Sequence, residues 1–133
     1  MIAVIRDSAG NIKTFSDSPL DDYNLVMGET REIVDSTFAD YSRRFMLQVG
    51  DTLGQTVYAK QGGEDVIVTV STSLKIKSVD LDINGMVERV PLTDGQGHIV
   101  LDVACIGTFI ITPADRKLFS AAGNGSIAVE VIP

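Results

Sequence analysis

Residues 80–85, DLDING, stand at the spacing of metal ligands. Asp80, Asp82 and Asn84 fall at positions 1, 3 and 5 of an EF-hand calcium loop, with Gly85 at the turn position 6. Such a loop closes on a bidentate carboxylate at position 12. Counted from Asp80, position 12 is Pro91, which has no side-chain ligand, and Glu88 falls at position 9. Both flanks alternate with period two where flanking helices are required, so the EF-hand reading fails. The same letters suit a hairpin, because Asn-Gly is the favoured pair of a type I′ turn, whose central residues take positive φ. Pairing across Asn84-Gly85 puts Ile83 opposite Met86, Asp82 opposite Val87, Leu81 opposite Glu88, Asp80 opposite Arg89 and Val79 opposite Val90. An Asp80–Arg89 ion pair follows from that register. Glu88 falls on the apolar face, which places it at a sheet margin. Calcium held by Asp80, Asp82 and a loop carboxylate such as Asp94 is the lesser alternative.

Catalytic constellations are scarce. His98 is the single histidine, with Asp102 four residues on. On an extended strand those two lie about 13 Å apart, whereas a base and its orienter need roughly 3 Å. A solvent-facing strand histidine is the simpler reading. Cys105, the only cysteine, excludes an internal disulfide. It lies in the apolar run VLDVACIG with no cationic neighbour to lower its pKa, which predicts a small buried thiol. QGGED at 61–65 lacks the Lys-Ser/Thr of a phosphate loop, and AAGNGS at 121–126 precedes a strand, so both read as loops. The carboxylate pairs Asp21-Asp22 and Glu64-Asp65 also fall in loops, and a glycosidase cleft cannot be read from them. No catalytic, cofactor or metal residue is therefore assigned, and the protein is read as a non-enzyme.

The remaining candidates are aromatic. DSTFADYSRRFMLQ is the one helical stretch, expected over about 36–48, with Asp35 or Ser36 as its N-cap. Phe38, Tyr41 and Phe45 stand at i, i+3 and i+7 of it, one aromatic stripe. Core packing is the plain reading of that stripe, and a partner-docking face is the sharper one. Ahead of it, IAVIRD and IKTF read as two strands around the turn SAGN, SDSPLDDYN as a loop, and TREIV at 30–34 as a further strand. After Gly50 the character changes. Val66/Val68/Val70, Val79/Leu81/Ile83, Ile99/Leu101/Val103, Phe109/Ile111 and Ile127/Val129/Val131 alternate, with turn signals every ~8–12 residues as in a sandwich or barrel. A boundary at about 50–54 (GDTLG) divides a small α+β unit, 1–52, from a β domain, 53–133.

Composition limits the function classes. The 133 residues are 44% hydrophobic and 22% charged, enough for a core and without the signature of disorder. Eighteen acidic against eleven basic side chains give a net charge of −7. That balance argues against nucleic-acid binding, which needs clustered Lys and Arg, and against docking on an anionic membrane. No run reaches the ~18 apolar residues of a membrane helix, and MIAVIRDSAG is too short in apolar residues for a secretory h-region. A cytoplasmic or virion-associated protein with no signal peptide of its own is expected.

From about 55 to 133, LDINGMVERVPLTDGQGHIVLDV, GTFIIT and GSIAVEV resemble the strand and turn pattern of bacterial and phage immunoglobulin-like domains. The chain departs from that pattern in having no cysteine pair and no tryptophan, and Phe109 stands where many such domains have a corner tyrosine. The resemblance implies a mainly β fold: an Ig-like antiparallel sandwich behind an α+β unit. By fold analogy it implies a structural or protein-interaction module of phage or prophage origin, with a protein partner or further copies of itself. Phe38, Tyr41 and Phe45 are the expected contact residues. The alternative is a carbohydrate- or ligand-binding accessory domain.

Overall fold

The structure, a computed structural model, describes residues 1–18 and 23–133. The described residues are mainly β and form three sheets. The first is β2-β1-β3, formed by β1 (Ile2–Arg6), β2 (Ile12–Ser16) and β3 (Thr30–Val34). One turn of helix, α1 (Phe38–Ser42), follows. The second sheet has the order β10-β7-β4-β5, from β4 (Met46–Val49), β5 (Thr52–Leu53), β7 (Val66–Ser71) and β10 (Gln96–Leu101). The third has the order β6-β12-β11-β8-β9, from β6 (Thr56–Lys60), β8 (Ser78–Ile83), β9 (Met86–Pro91), β11 (Gly107–Pro113) and β12 (Ile127–Ile132). All pairings are antiparallel except β6 with β12. Among the described residues, no helix is long and apolar enough to cross a membrane.

Alternation explains why the second and third sheets share one core. Val66, Val68 and Val70 are buried while Ile67 is exposed, and Ile99 and Leu101 are buried while His98 and Val100 are exposed. Val79, Leu81, Ile127, Val129 and Val131 turn inward from the opposite sheet and join the same cluster. Branched side chains stiff at χ1 suit this role, since they fill a pleated surface at little further rotamer cost.

The hairpin β8–β9 has the register that its turn dictates. Ile83 opposes Met86, Asp80 opposes Arg89 and Val79 opposes Val90. Asn84 and Gly85 take φ of 52° and 88°, the positive values of a type I′ turn. The Asn84 side chain continues the sheet, accepting from Ile110 N–H at 2.8 Å and donating to Thr108 O at 2.9 Å. Glu88 is exposed on the edge strand, as its misplaced charge requires.

Three expectations are overturned. The helix covers 38–42, not about 36–48, and its N-cap is Thr37, whose hydroxyl accepts from Asp40 N–H at 3.1 Å, rather than Asp35 or Ser36. Residues 46–48, expected at the end of the helix, belong instead to the strand Met46–Val49, with Met46 opposite Ser71 and Leu47 opposite Val70. Phe45, Leu47 and Val49 also alternate, and burying that row against β7 outweighs helix propensity. β4 thus belongs to the second sheet, beside β7. Cys105 is exposed rather than buried. The Asp102 carboxylate accepts Ala104 N–H at 2.9 Å and turns the chain out of the β10 pleat, so the inward alternation ends at Val103. The Asp21-Asp22 pair lies outside the described residues.

Candidate functional site

The three aromatic residues meet where the N-terminal sheet docks on the segment joining β11 to β12. The turn between β1 and β2 is set by Asp7, whose carboxylate accepts from Ala9 and Asn11 N–H groups, both at 3.0 Å. That turn is fastened to the connecting segment. Arg6 donates from Nη1 to Lys117 O at 2.7 Å and to Gly10 O at 2.9 Å, and Ile12 N–H donates to Arg116 O at 2.7 Å. On the other side, Asp115 accepts from the N–H groups of Lys117 and Leu118 at 3.1 Å, which curls the chain so that Phe119 turns inward. Gly125 allows the return to β12: a Cβ there would lie 1.8 Å from Ser120 O.

This docking leaves a cavity of about 200 Å³ between the two parts. At 3.6 residues per turn, Phe38, Tyr41 and Ser42 share one side of α1 and line it, while Asp40 points away. The rings of Phe15 and Phe38 lie 5.3 Å apart, and Phe15 meets Tyr41 edge-on at 4.9 Å. Both are spacings at which aromatic pairs attract. Phe45 forms the floor and packs on Phe119 at 5.0 Å, tying the cavity to the main core. Arg44 lines the wall, its guanidinium 4.9 Å from the Tyr41 ring centre. Its backbone is fixed at both ends: the N–H donates to Tyr41 O at 3.1 Å, and the carbonyl accepts from the Thr72 hydroxyl.

The expected residues are thus brought together, but not as one helical stripe. Tyr41 is 5% exposed and Phe45 4%, whereas Phe38 is 47% exposed and stands at the cavity rim. Phe15, Arg44 and Leu118 also line the cavity and were not identified from sequence. Phe15 lies near the end of β2, and nothing local says which element it faces. Leu118 lies in a stretch without period.

The other candidate groups are engaged elsewhere. Arg89 Nε donates to Asp80 at 3.0 Å, and this contact holds the Asp80 carboxyl below its ordinary pKa while raising that of Arg89. Asp82 accepts from Gly85 N–H at 2.8 Å, which supports the turn. Lys13 pairs with Glu29, whose side chain is only 3% exposed and also accepts from Val26 N–H at 2.9 Å. The Lys13 hydrogen bond lowers the Glu29 pKa and raises its own. His98 and Asp102 are both exposed, and Asp102 is committed to Ala104 N–H. Among the described residues, no three His, Cys, Asp or Glu side chains gather as metal ligands would. The chain matches no protein-family model, no curated protein and no solved structure.

Proposed function

We propose that the protein is a non-catalytic interaction module: an Ig-like sandwich that carries a small three-stranded unit and meets a protein partner, or a second copy, at the Phe38 side of their junction. Its setting would be a larger assembly of phage or prophage origin. The Ig-like reading draws support from connectivity. Successive strands cross between the sheets from β7 to β8, from β9 to β10 and from β10 to β11, and the leading strands divide between them, β4 in one and β6 in the other. Crossings of this kind make the Greek-key pattern of such sandwiches. The non-catalytic reading draws support from the use of the hydroxyls at the junction. Ser42 donates to Phe38 O at 2.7 Å and Ser120 accepts from Ala122 N–H at 3.0 Å, so both serve the backbone.

The observation that carries the docking reading is the exposure of Phe38, 47%, beside Tyr41 and Phe45, which are nearly sealed. A large ring left half in water at the mouth of an apolar cavity is the kind of residue that anchors protein interfaces. Site-specific photocrosslinking in the producing cell tests it, with the probe at position 38 and a control probe at Lys75, on the β7–β8 loop. A discrete adduct from 38 and not from 75, whether a dimer of this chain or a complex with one partner, supports the reading. No adduct from 38 overturns it.

A further inference from the structure

We propose that the junction cavity receives an apolar side chain flanked by a carboxylate, presented by an acidic segment of the partner protein. The proposal rests on the docking reading above and names the chemistry of what docks. Size supports the apolar part. An apolar cavity of about 150 Å³ suffices for a benzene ring, and this one holds about 200 Å³ behind the rings of Phe15, Phe38 and Tyr41. Phe38 and Leu118, 47% and 37% exposed, continue the apolar surface past the mouth. A free small acid would leave that surface uncovered, whereas a peptide segment would lie across it.

Charge supports the carboxylate. The chain carries a net charge of −7, yet among the described residues no acidic side chain lines this cavity, and Arg44 is the one charged residue that does. Arg44 makes no ion pair and no side-chain hydrogen bond among the described residues. Its guanidinium is held against the Tyr41 ring. That contact uses no N–H in a hydrogen bond, so the N–H fork is available, and such a fork can grip a carboxylate with two parallel bonds. The Asn124 amide lines the same cavity and likewise makes no hydrogen bond among the described residues, so it offers a further donor.

The test uses 3-phenylpropionate, one ring and one carboxylate, against 3-phenylpropylamine, which has the same ring on the same three-carbon chain but the opposite charge. Binding is read from the ring resonances of Phe38 and Tyr41 in the full chain. The acid is expected to shift them saturably, in the millimolar range proper to so small a ligand, and the amine to bind about tenfold more weakly or worse. Arg44→Gln should bring the acid down to the level of the amine, and Arg44→Lys should keep part of the difference, with the fold of both variants checked by the unchanged resonances of the β8–β9 hairpin. No saturable shift, equal binding of acid and amine, or full binding by Arg44→Gln overturns the proposal. Failure of the acid while position 38 still crosslinks removes the cavity chemistry and leaves the docking reading standing. Acid binding without any crosslink from 38 overturns the partner segment in favour of a free acid.

Discussion

The molecule contains two apolar clusters of different make. Between the larger sheets, sixteen buried residues among those described form one cluster, almost all of them Val, Ile or Leu on alternating strand positions. Among the described residues, the cluster beneath the three-stranded sheet consists of Ile2, Val4, Ile12 and Tyr41, with Phe15 and Val34 partly covering them. Strands bring aliphatic side chains together at fixed spacings, and the branched residues interdigitate. The smaller cluster is finished by rings on a single turn of helix. Planar rings set edge-on around a corner do not close it, and the remaining volume is the cavity. The first region is built for stability, and the second trades close packing for an accessible recess.

If that contrast is right, the largest loss should come from the first cluster. Leu47 is fully buried on β4, the strand that follows directly from the cavity floor at Phe45. Leu47→Ala should cost about 2–5 kcal/mol, the range for deleting a buried leucine side chain without collapse of the space it leaves. Urea unfolding read by circular dichroism would show it as a lower midpoint at unchanged slope. A loss below about 1 kcal/mol would mean that β4 is a peripheral strand rather than part of the main core.

Gly125→Ala addresses the joint between the two regions. The added Cβ would meet the Ser120 carbonyl at 1.8 Å, so the segment from 115 to 126 must shift. Overpacking against backbone costs typically 1–3 kcal/mol. The sharper expectation is where the effect appears: hydrogen exchange should rise at Ile12, whose N–H is bonded to Arg116 O, while β7 stays protected. Equal loss of protection in both would show that the regions unfold as one unit.

The same two regions differ in how far the sequence determines them. In β8 and β9 the turn pair Asn84-Gly85 and the alternating flanks demand one register locally, and that register is present down to the Asp80–Arg89 pair. In RRFMLQV, at 43–49, two periods overlap. Phe38, Tyr41 and Phe45 satisfy the helical spacing, while Phe45, Leu47 and Val49 satisfy the strand spacing. Which period wins depends on a partner strand twenty residues downstream, Val66–Ser71, and no local rule contains it. The aromatic residues of the site were legible for the same reason that their geometry was not: ring type shows in the letters, but the docking of 115–126 that completes the cavity is a tertiary event. In the sequence Arg44 is one basic residue within DSTFADYSRRFMLQ. Its position over Tyr41 depends on the chain turning out of α1 at Arg43.

Phe38→Ser separates recess from core most directly. The ring is 47% exposed, so stability should change by no more than about 0.5–1 kcal/mol, while the binding of 3-phenylpropionate, read from the Tyr41 ring, should fall sharply. Tyr41→Leu should behave in the opposite order, since Tyr41 is 5% exposed and holds both Phe15 and Arg44. If Phe38→Ser destabilised the protein as much as Tyr41→Leu, the rim would be a true part of the smaller cluster and the contrast would dissolve.

The smallest effects should come from the ion pairs, which differ between the regions in burial. Asp80 and Arg89 are 38% and 74% exposed, whereas Glu29, bonded to Lys13, is 3% exposed. Both carboxyl groups have lowered pKa values in the folded protein because each accepts from a cation. Each therefore contributes stability that is complete above its unfolded value, 3.8 for Asp80 and 4.5 for Glu29, and that is lost as the pH falls through the lower folded value. Stability followed by denaturant titration from neutral pH downwards should fall more steeply in the wild type than in Asp80→Asn or Glu29→Gln, and each difference should vanish at the acid end. Salt at about 1 M shrinks the screening length to roughly 3 Å, which should erase the exposed Asp80 contribution and leave that of Glu29 largely intact. Equal salt sensitivity in the two variants would mean that the loop carrying Glu29 opens to water as freely as the hairpin edge.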